Sequence, residues 1–321
     1  MTQSGTGANA PDGLHGGIAA AGCERLHLGM PASGIAAYFR VMRPHQWCKN
    51  LLIFLPLIAA HAGAPSSWFG AVIAFFAFCM VASSVYVLND LLDLAADRAH
   101  PRKRHRPLAS GAVPLLHGMA MAPALLIAGM LASSAAFAGE LALYYGVTLA
   151  YSLLFKRKLV IDILVLAGLY TIRILAGAAA AGLSVSPWLL AFALFFFVAL
   201  AAVKRLAELA DARRAGRSRI PGRAYRTADL PFIAAVAIAC GGVAVLIVAQ
   251  YIASPAVDLL YRRPAWLWAV CPVLLYWIYR MIMAAHRAQM DDDPIVHAVR
   301  DPVSIACGAL VLLLIGAASI P

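Results

Sequence analysis

Long runs of apolar residues, interrupted by short polar stretches, recur along most of the chain. Each run has about 17 to 25 residues, which is the length that an α-helix needs to cross the hydrocarbon core of a bilayer. The runs end at Pro, Gly or charged residues, which often break helices. The pattern predicts an all-α, polytopic membrane protein of about nine transmembrane helices, at residues 46–63, 67–92, 114–137, 139–155, 159–182, 187–208, 229–253, 264–285 and 302–320.

The composition excludes a soluble globular protein. Hydrophobic residues make up 63% of the 321 residues, charged residues make up only 13%, and the mean hydropathy is +0.80. Residues 1–33 differ from the rest, because they are rich in Gly, Ala and Ser and lack the basic start and compact apolar core of a signal peptide. We therefore expect a disordered N-terminal tail at 1–33 and one transmembrane catalytic domain at 34–321.

The positive charge of the chain lies in the loops on one side of the predicted helices. Of the 26 Lys and Arg residues, Arg262 and Arg263 fall on the opposite side and Arg173 lies within a helix, and all others are on the side of the N-terminus. By the positive-inside rule that side is cytoplasmic, so we expect a multi-pass protein of the cell inner (plasma) membrane. Membrane topology also explains the net charge of +11 better than a nucleic-acid partner does.

The most informative polar segment follows the second predicted helix. Asp90, Asp93 and Asp97 are spaced i, i+3, i+7, which on a helix would place them within roughly 60° of one another on one face. Carboxylates so placed repel each other unless a cation joins them, and Mg²⁺ prefers such ligands together with substrate phosphates. A basic run containing Lys103 and Arg106 comes next and could neutralise the same anion. The alternative is an ordinary charged helix end before a cytoplasmic loop.

Two further polar groups fall inside apolar segments, where charge is costly. Lys49 and Asn50 lie just inside the start of the first predicted helix, so the ammonium either reaches the interface or meets an anion. Arg173 lies roughly three turns inside an apolar helix and needs a carboxylate or phosphate partner. Asp162 is the nearest carboxylate in sequence but is too far for a direct pair on one helix. Arg173 therefore forms either a structural ion pair or a substrate contact.

The end of the sixth predicted helix carries Lys204, Arg205 and Glu208 at the same side of the membrane. Lys204 and Glu208 are i, i+4 neighbours and could simply pair with each other. Tyr151 and Lys156 end the fourth helix at this side as well. These residues and the aspartates are predicted to lie at the same side of the membrane, so they could line one pocket.

Five motifs, in this order along the chain, resemble the UbiA superfamily of intramembrane prenyltransferases, and more narrowly its decaprenyl-phosphate phosphoribosyltransferase branch. The resemblance covers nearly the whole chain from about residue 35. The motifs are RPxQWxKN at 43–50, NDxxDxxxDRxHPxKxxRP at 89–107, YSxxxK with a following Asp at 151–162, RxxAG at 173–177 and KRxxEL at 204–209. The general prenyltransferase pattern has a second acidic motif, DxxxD, at the end of the sixth helix. Here Lys204 replaces its first carboxylate, which favours the narrower branch.

The resemblance implies a UbiA-like helical bundle with an active site that faces the cytoplasm. Mg²⁺ would be held by Asn89, Asp90, Asp93 and Asp97, with these aspartates as the catalytic group, and phosphoribosyl diphosphate would donate 5-phosphoribose to a polyprenyl (decaprenyl) phosphate from the lipid bilayer. The product would feed lipid-linked arabinose or another pentose for cell-envelope polysaccharides. Whether the chain forms a homo-oligomer stays open. The resemblance and the polar pattern together suggest these substrate-binding residues: Lys49, Asn50, Lys103, Arg106, Tyr151, Lys156, Asp162, Arg173, Lys204, Arg205 and Glu208.

Two other functions remain open from the sequence. One is conventional transfer of a polyprenyl chain from its diphosphate to an aromatic or lipid acceptor, for which a second acidic motif should stand where Lys204 is. The other is a transporter or anion channel. A transporter predicts polar residues along a continuous path across the bilayer, whereas the charges here gather at one leaflet.

Overall fold

A computed structural model of the chain describes residues 34–99, 103–220, 222–290 and 293–320, so the predicted tail at 1–33 lies outside the described residues. Within these ranges the chain is helical and has no β-strand beyond one isolated bridge between Arg219 and Arg226. The α-helices are α1 Ala36–Met42, α2 Leu55–Ala59, α3 Pro65–Leu92, α4 Leu94–Ala99, α5 Leu115–Ala132, α6 Ala138–Leu153, α7 Ile161–Ala180, α8 Pro187–Arg214, α9 Leu230–Ile252, α10 Val270–His286, α11 Pro294–Arg300 and α12 Pro302–Ser319. Short 3₁₀ helices occupy Pro44–Phe54, Lys103–His105, Phe155–Arg157, Thr227–Asp229 and Pro264–Ala269.

The all-α polytopic membrane fold is confirmed, although the count of nine spans is not. Seven of the described helices are long and apolar enough to cross a membrane: Pro65–Leu92, Leu115–Ala132, Ile161–Ala180, Pro187–Arg214, Thr227–Ile252, Pro264–His286 and Pro302–Ser319. The predicted span at 46–63 is instead the 3₁₀ helix Pro44–Phe54 continued by α2. The predicted span at 139–155 is α6, which has 16 residues.

Proline and N-terminal capping side chains determine where several helices begin. Proline stands in the first turn of α3, α8, α9, α11 and α12, where a missing N–H costs nothing. The side chains of Ser186, Asp293 and Asp301 accept hydrogen bonds from backbone N–H groups at the starts of α8, α11 and α12. These starts fix where the polar ends of the helices lie in the bundle.

The two largest apolar cores among the described residues lie around the central helices of the bundle. One lies between α7, α8, α9 and α10 and contains fully buried Phe197 and Leu206. The other joins the 3₁₀ helix Pro44–Phe54 to α3, α6 and α7 and contains Ile53 and Phe78. Because α7 belongs to both cores, it brings the C-terminal ends of α3 and α8 and the start of the 3₁₀ helix to one end of the bundle.

Gly177 lets α7 approach the 3₁₀ helix more closely than any side chain allows. A Cβ atom built at Gly177 would lie 2.0 Å from the carbonyl oxygen of Ile53, and this oxygen cannot move without its backbone. We expect Gly177→Ala to lower the free energy of unfolding by about 3 kcal/mol, because overpacking against backbone forces the two helices apart. Thermal unfolding in detergent measures the effect.

Gly168→Ala is the matched control, since Gly168 lies on the same helix and a Cβ there meets nothing within 4 Å. This control should unfold at or slightly above the wild-type temperature, because Ala favours the helix. Equal unfolding temperatures for both variants would contradict the close approach.

Candidate active site

A polar cavity of about 430 Å³ lies at the end of the bundle where α3, α8 and the 3₁₀ helix Pro44–Phe54 meet. Its walls are unusual for this chain, because most of the side chains that form them are charged or polar. The lining residues are Arg40, Arg43, His45, Gln46, Lys49, Tyr86, Asp90, Arg106, Pro107, Lys204 and Asp293. Four of the predicted site residues, Lys49, Asp90, Arg106 and Lys204, are therefore brought together here.

The cavity carries an excess of positive charge. Five of its lining side chains are Lys or Arg and two are Asp, which leaves three positive charges uncompensated when both carboxyl groups are ionised. Burial and the nearby Arg43 guanidinium lower the pKa of His45, so this imidazole is mostly neutral at pH 7 and adds no further charge. Such a cavity is suited to anions that carry more than one phosphate.

Asp90 and Asp97 converge on one guanidinium group. Nη1 of Arg106 lies 3.1 Å from Oδ1 of Asp90 and 2.6 Å from Oδ2 of Asp97. Arg43 donates a further short hydrogen bond to the same Oδ1 of Asp90. Both aspartates are almost completely buried, at 3% and 2% exposure. Two buried carboxylates thus share a single cationic nitrogen between them.

Asp93 does not join this pair. The helix α3 ends at Leu92, and α4 begins at Leu94. Asp93 lies between them as the C-cap residue of α3, where its backbone N–H donates to the carbonyl of Asn89 and its side chain is exposed. The expectation of three aspartates on one helical face is therefore not met, because the helix breaks at Asp93, the second of them. Asn89, in the last turn of α3, is half-buried. Within the described residues, no three His, Cys, Asp or Glu side chains gather closely enough to hold a metal ion by themselves.

The donors at Asp90 and Asp97 nevertheless fit Mg²⁺ when a phosphate is present. Mg²⁺ takes hard oxygen ligands and commonly uses one or two carboxylates plus substrate phosphates and waters. In the structure the Arg106 guanidinium stands between two such carboxylates, in the place that suits a bridging cation. Asp90 and Asp97 are therefore the carboxylates of this cluster that would hold the metal.

Lys49 and Lys204 both contact a carboxylate that the sequence did not identify. Oδ2 of Asp293 lies 2.6 Å from Nζ of Lys49 and 3.1 Å from Nζ of Lys204. Burial opposes ionisation of Asp293, but the two ammonium groups outweigh it and hold the pKa of this carboxyl well below its usual range. The only local signal for Asp293 is its place immediately before Pro294, which is typical of a helix N-cap. That signal indicates a helix start and gives no hint of a cavity.

A second polar cluster is separate from the lining of the cavity. Arg205 is fully buried, and its Nε donates to Oδ2 of Asp162 at 2.5 Å. The same guanidinium also contacts Glu208 and the hydroxyl of Tyr151. Arg223, from the loop after α8, contacts Asp162 at 3.4 Å and Glu208 at 3.0 Å, although it was not among the predicted site residues. Glu208 therefore pairs with these two arginines, whereas its i, i+4 neighbour Lys204 pairs with Asp293.

Arg173 does not pair with Asp162. Its Nε donates to Oδ1 of Asn50 at 2.8 Å and its Nη2 to the Tyr144 hydroxyl at 3.0 Å, while Nη1 donates to the carbonyl oxygen of Leu169. The guanidinium also lies over the Tyr144 ring, 4.6 Å from its centroid. Arg173 and Asn50 thus connect α7 to the 3₁₀ helix Pro44–Phe54 beside Gly177.

The last two predicted cations lie on short turns. Lys103 begins the 3₁₀ turn Lys103–His105 and is exposed, and Lys156 lies on the turn Phe155–Arg157 and is half-buried. Neither of them is among the residues that line the cavity.

Comparisons with known proteins agree with this architecture. The model of the UbiA prenyltransferase family matches residues 50–297. Nodulation protein NoeC of Azorhizobium caulinodans is 38% identical over 278 residues, which are 84% of this chain and 89% of that protein. The uncharacterised protein y4nM of Sinorhizobium fredii is 37% identical over 84% of this chain, and the match spans only 53% of that protein's length. The decaprenyl-phosphate phosphoribosyltransferase of Mycolicibacterium smegmatis is 37% identical over 214 residues, 64% of this chain and 67% of that enzyme.

Solved structures show the same fold. A UbiA homologue from Archaeoglobus fulgidus, bound to DMAPP and Mg²⁺, superposes with a TM-score of 0.62 over 87% of this chain and 96% of its own, at 16% identity. The resemblance stated from the motifs is confirmed by the family match and by these relatives. The chain belongs to the UbiA prenyltransferase family and is an integral membrane protein with that family's helical fold.

Proposed function

We propose that the chain catalyses the Mg²⁺-dependent transfer of 5-phosphoribose from phosphoribosyl diphosphate to a polyprenyl phosphate, with release of diphosphate. The observation that carries this proposal is the cavity itself, which is lined by five Lys and Arg side chains. One of the five, Arg106, is shared by the lining residue Asp90 and by Asp97. The reaction brings three phosphate-bearing groups together, namely the diphosphate and the 5-phosphate of the donor and the phosphate of the acceptor. Conventional prenyl transfer to an aromatic acceptor requires a binding site for only one such group, the diphosphate.

The side chains around Asp90 have different roles in the first step, which is the departure of pyrophosphate from the donor. Asp90 and Asp97 would hold Mg²⁺, which when bound would supply positive charge to the departing pyrophosphate. Arg43 and Arg106, which contact Asp90 in the structure, are placed to turn toward the pyrophosphate oxygens and neutralise the rest of that charge. In this proposal Asn89 and the exposed Asp93 complete the metal site once substrate is bound.

The acceptor needs positioning more than a general base. A phosphate monoester is largely ionised near pH 7, so its oxygen can attack C1 of the ribose without losing a proton to the protein. As the new C1–O bond forms, the bond from C1 to the pyrophosphate oxygen breaks, and the pyrophosphate leaves with the electron pair. Lys49 and Lys204 are placed to hold a phosphate at the cavity wall.

The remaining predicted site residues would act outside the cavity lining. Arg205 and Asp162, both fully buried, form a network with the partly buried Tyr151 and Glu208. We propose that this network supports α8, which carries Lys204. We propose that Asn50 and Arg173 fix the 3₁₀ helix that carries Lys49, and that the exposed Lys103 and the half-buried Lys156 attract the polyanionic donor. A cytoplasmic orientation in the inner membrane, as the loop charges predict, would give that donor access.

Support from the relatives is partial. The Mycolicibacterium relative is named for phosphoribosyl transfer to decaprenyl phosphate, whereas the names NoeC and y4nM state no reaction. The motifs of the narrower branch, the charges of the cavity and the name of this relative support the proposal. Its product would be a precursor of lipid-linked arabinose or another pentose for cell-envelope polysaccharides.

The test is a pair of reactions with purified protein in detergent or liposomes and Mg²⁺. The first contains labelled phosphoribosyl diphosphate and polyprenyl phosphate, and the second contains polyprenyl diphosphate and 4-hydroxybenzoate. We expect a labelled phosphoribosyl lipid in the first mixture, its loss when the metal is chelated, and no product in the second. Product in the second mixture alone would replace the proposal with conventional prenyl transfer.

A further inference from the structure

Asp293 is held from two sides. Its Oδ1 accepts hydrogen bonds from the backbone N–H groups of Ile295 at 3.2 Å and Val296 at 3.4 Å, so it caps the start of α11. Its Oδ2 contacts the ammonium groups of Lys49 and Lys204. The residue is 5% exposed. Because the first oxygen is fixed to a helix start, the second presents a fixed negative charge to the cavity.

The two lysines are held as a pair by this one oxygen, although they come from different helices. Lys49 lies on the 3₁₀ helix Pro44–Phe54 and Lys204 on α8. An ammonium group has three donors and no acceptor, so each lysine can bind Asp293 and still donate to a ligand in the cavity. Their side chains are 11% and 20% exposed, and both line that cavity.

The cations of the cavity therefore fall into two sets. Arg43 and Arg106 contact Asp90, in the part of the cavity where a metal and a diphosphate would bind. Lys49 and Lys204 contact Asp293 instead. A single carboxylate that is already paired with two ammonium groups is a poor ligand for a divalent metal, which commonly uses carboxylates together with phosphates and waters. The second set thus suits an anion that binds without a metal.

We propose that Lys49 and Lys204 form a binding site for a phosphate monoester, separate from the diphosphate site at Asp90, and that Asp293 is the positioning residue that holds the two lysines in place. This inference rests on the proposed function for its physiological ligand, since both the 5-phosphate of the donor and the phosphate of the acceptor are monoesters. Lysine suits such a ligand, because its ammonium group is a compact charge that meets a single phosphate oxygen without demanding a planar, two-point contact.

Binding assays with two kinds of ligand test the site without any turnover. Ribose 5-phosphate and geranyl phosphate represent the two sources of a monoester, and diphosphate with Mg²⁺ represents the other site. Asp293→Asn is the informative variant, because Asn caps a helix as well as Asp does but carries no charge. We expect this variant to bind one or both monoesters about tenfold more weakly and to bind diphosphate with Mg²⁺ as the wild type does. The monoester that is affected identifies the source.

Two further variants make the result specific. Asp301→Asn carries the same change at another capping aspartate, which starts α12, pairs with Arg280 and does not line the cavity, so it should bind every ligand normally. Lys204→Gln should reproduce the selective loss seen in Asp293→Asn. Retained diphosphate binding shows in the same sample that each variant is folded.

The proposal is overturned if wild-type protein binds neither monoester, or if Asp293→Asn weakens both kinds of ligand equally, leaves monoester binding unchanged or tightens it. Tighter binding would mean that the carboxylate competes with the phosphate. A selective loss together with no phosphoribosyl transfer in the paired reactions would reject the proposed function and leave the monoester site standing.

Discussion

Replacing Asp90 with Asn is expected to reduce turnover by about 100-fold or more while the protein stays folded. Asp90 is the carboxylate that receives both Arg43 and Arg106 and that shares Arg106 with Asp97. An amide keeps the shape of the side chain but has no charge with which to hold a divalent cation or to orient the two guanidinium groups. Initial rates over a range of Mg²⁺ concentrations measure the effect, and additional Mg²⁺ should restore only part of the rate.

Asp258→Asn is the matched control, because Asp258 is exposed and follows α9 at the other end of the bundle from the cavity. This control should turn over at the wild-type rate. Asp93→Asn tests whether Asp93 belongs to the metal site, since its side chain is exposed in the structure. If Asp93 completes the metal site when substrate binds, its Asn variant should lose activity as well. Near-normal turnover of Asp90→Asn would reject the metal assignment altogether.

The fold could be predicted from the sequence because a bilayer leaves few choices. Every backbone polar group in the hydrocarbon region must be satisfied within its own segment, so a long apolar run in a chain of this composition indicates a helix. Seven of the predicted spans follow from this reasoning. The first predicted span differs because Pro56 has no N–H to donate to Leu52 and its ring crowds the helix before it. The chain there forms the 3₁₀ helix Pro44–Phe54, and Leu55 donates to the carbonyl of Leu52 instead.

The site was predictable only where local position decides it. Lys49 lies at the start of the first predicted span, whereas Asp90 and Lys204 lie at the ends of the second and sixth. Because the chain alternates direction, membrane topology alone places all three at one leaflet. Asp293 was missed because its contacts depend on how α11 packs against helices that are distant in sequence, and no local pattern contains that information. The pairs of Arg205 with Asp162 and of Arg173 with Asn50 join different helices in the same way.

The second large effect is expected at Arg205, where the sequence and the structure suggest different roles. The sequence placed Arg205 among the substrate-binding residues, whereas the structure shows its side chain fully buried and in contact with Asp162, Glu208 and Tyr151. Asp162 is also fully buried. Removing the cation from such a network leaves a buried carboxylate without most of its compensating charge, which costs about 3–5 kcal/mol.

Arg205→Met should therefore unfold at a much lower temperature than wild type in detergent, and Arg223 alone should not rescue it, because its contact with Asp162 is the longer one. Arg213→Met, an exposed arginine on the same helix, is the control and should unfold as wild type does. Arg205→Lys should fall between them, since an ammonium keeps the charge but cannot reproduce the forked contacts. A fully stable Arg205→Met protein that binds ligand poorly would show that Arg205 contacts substrate, as the sequence predicted. Loss of stability would instead assign Arg205 to holding α8, and with it Lys204, in place beside the cavity.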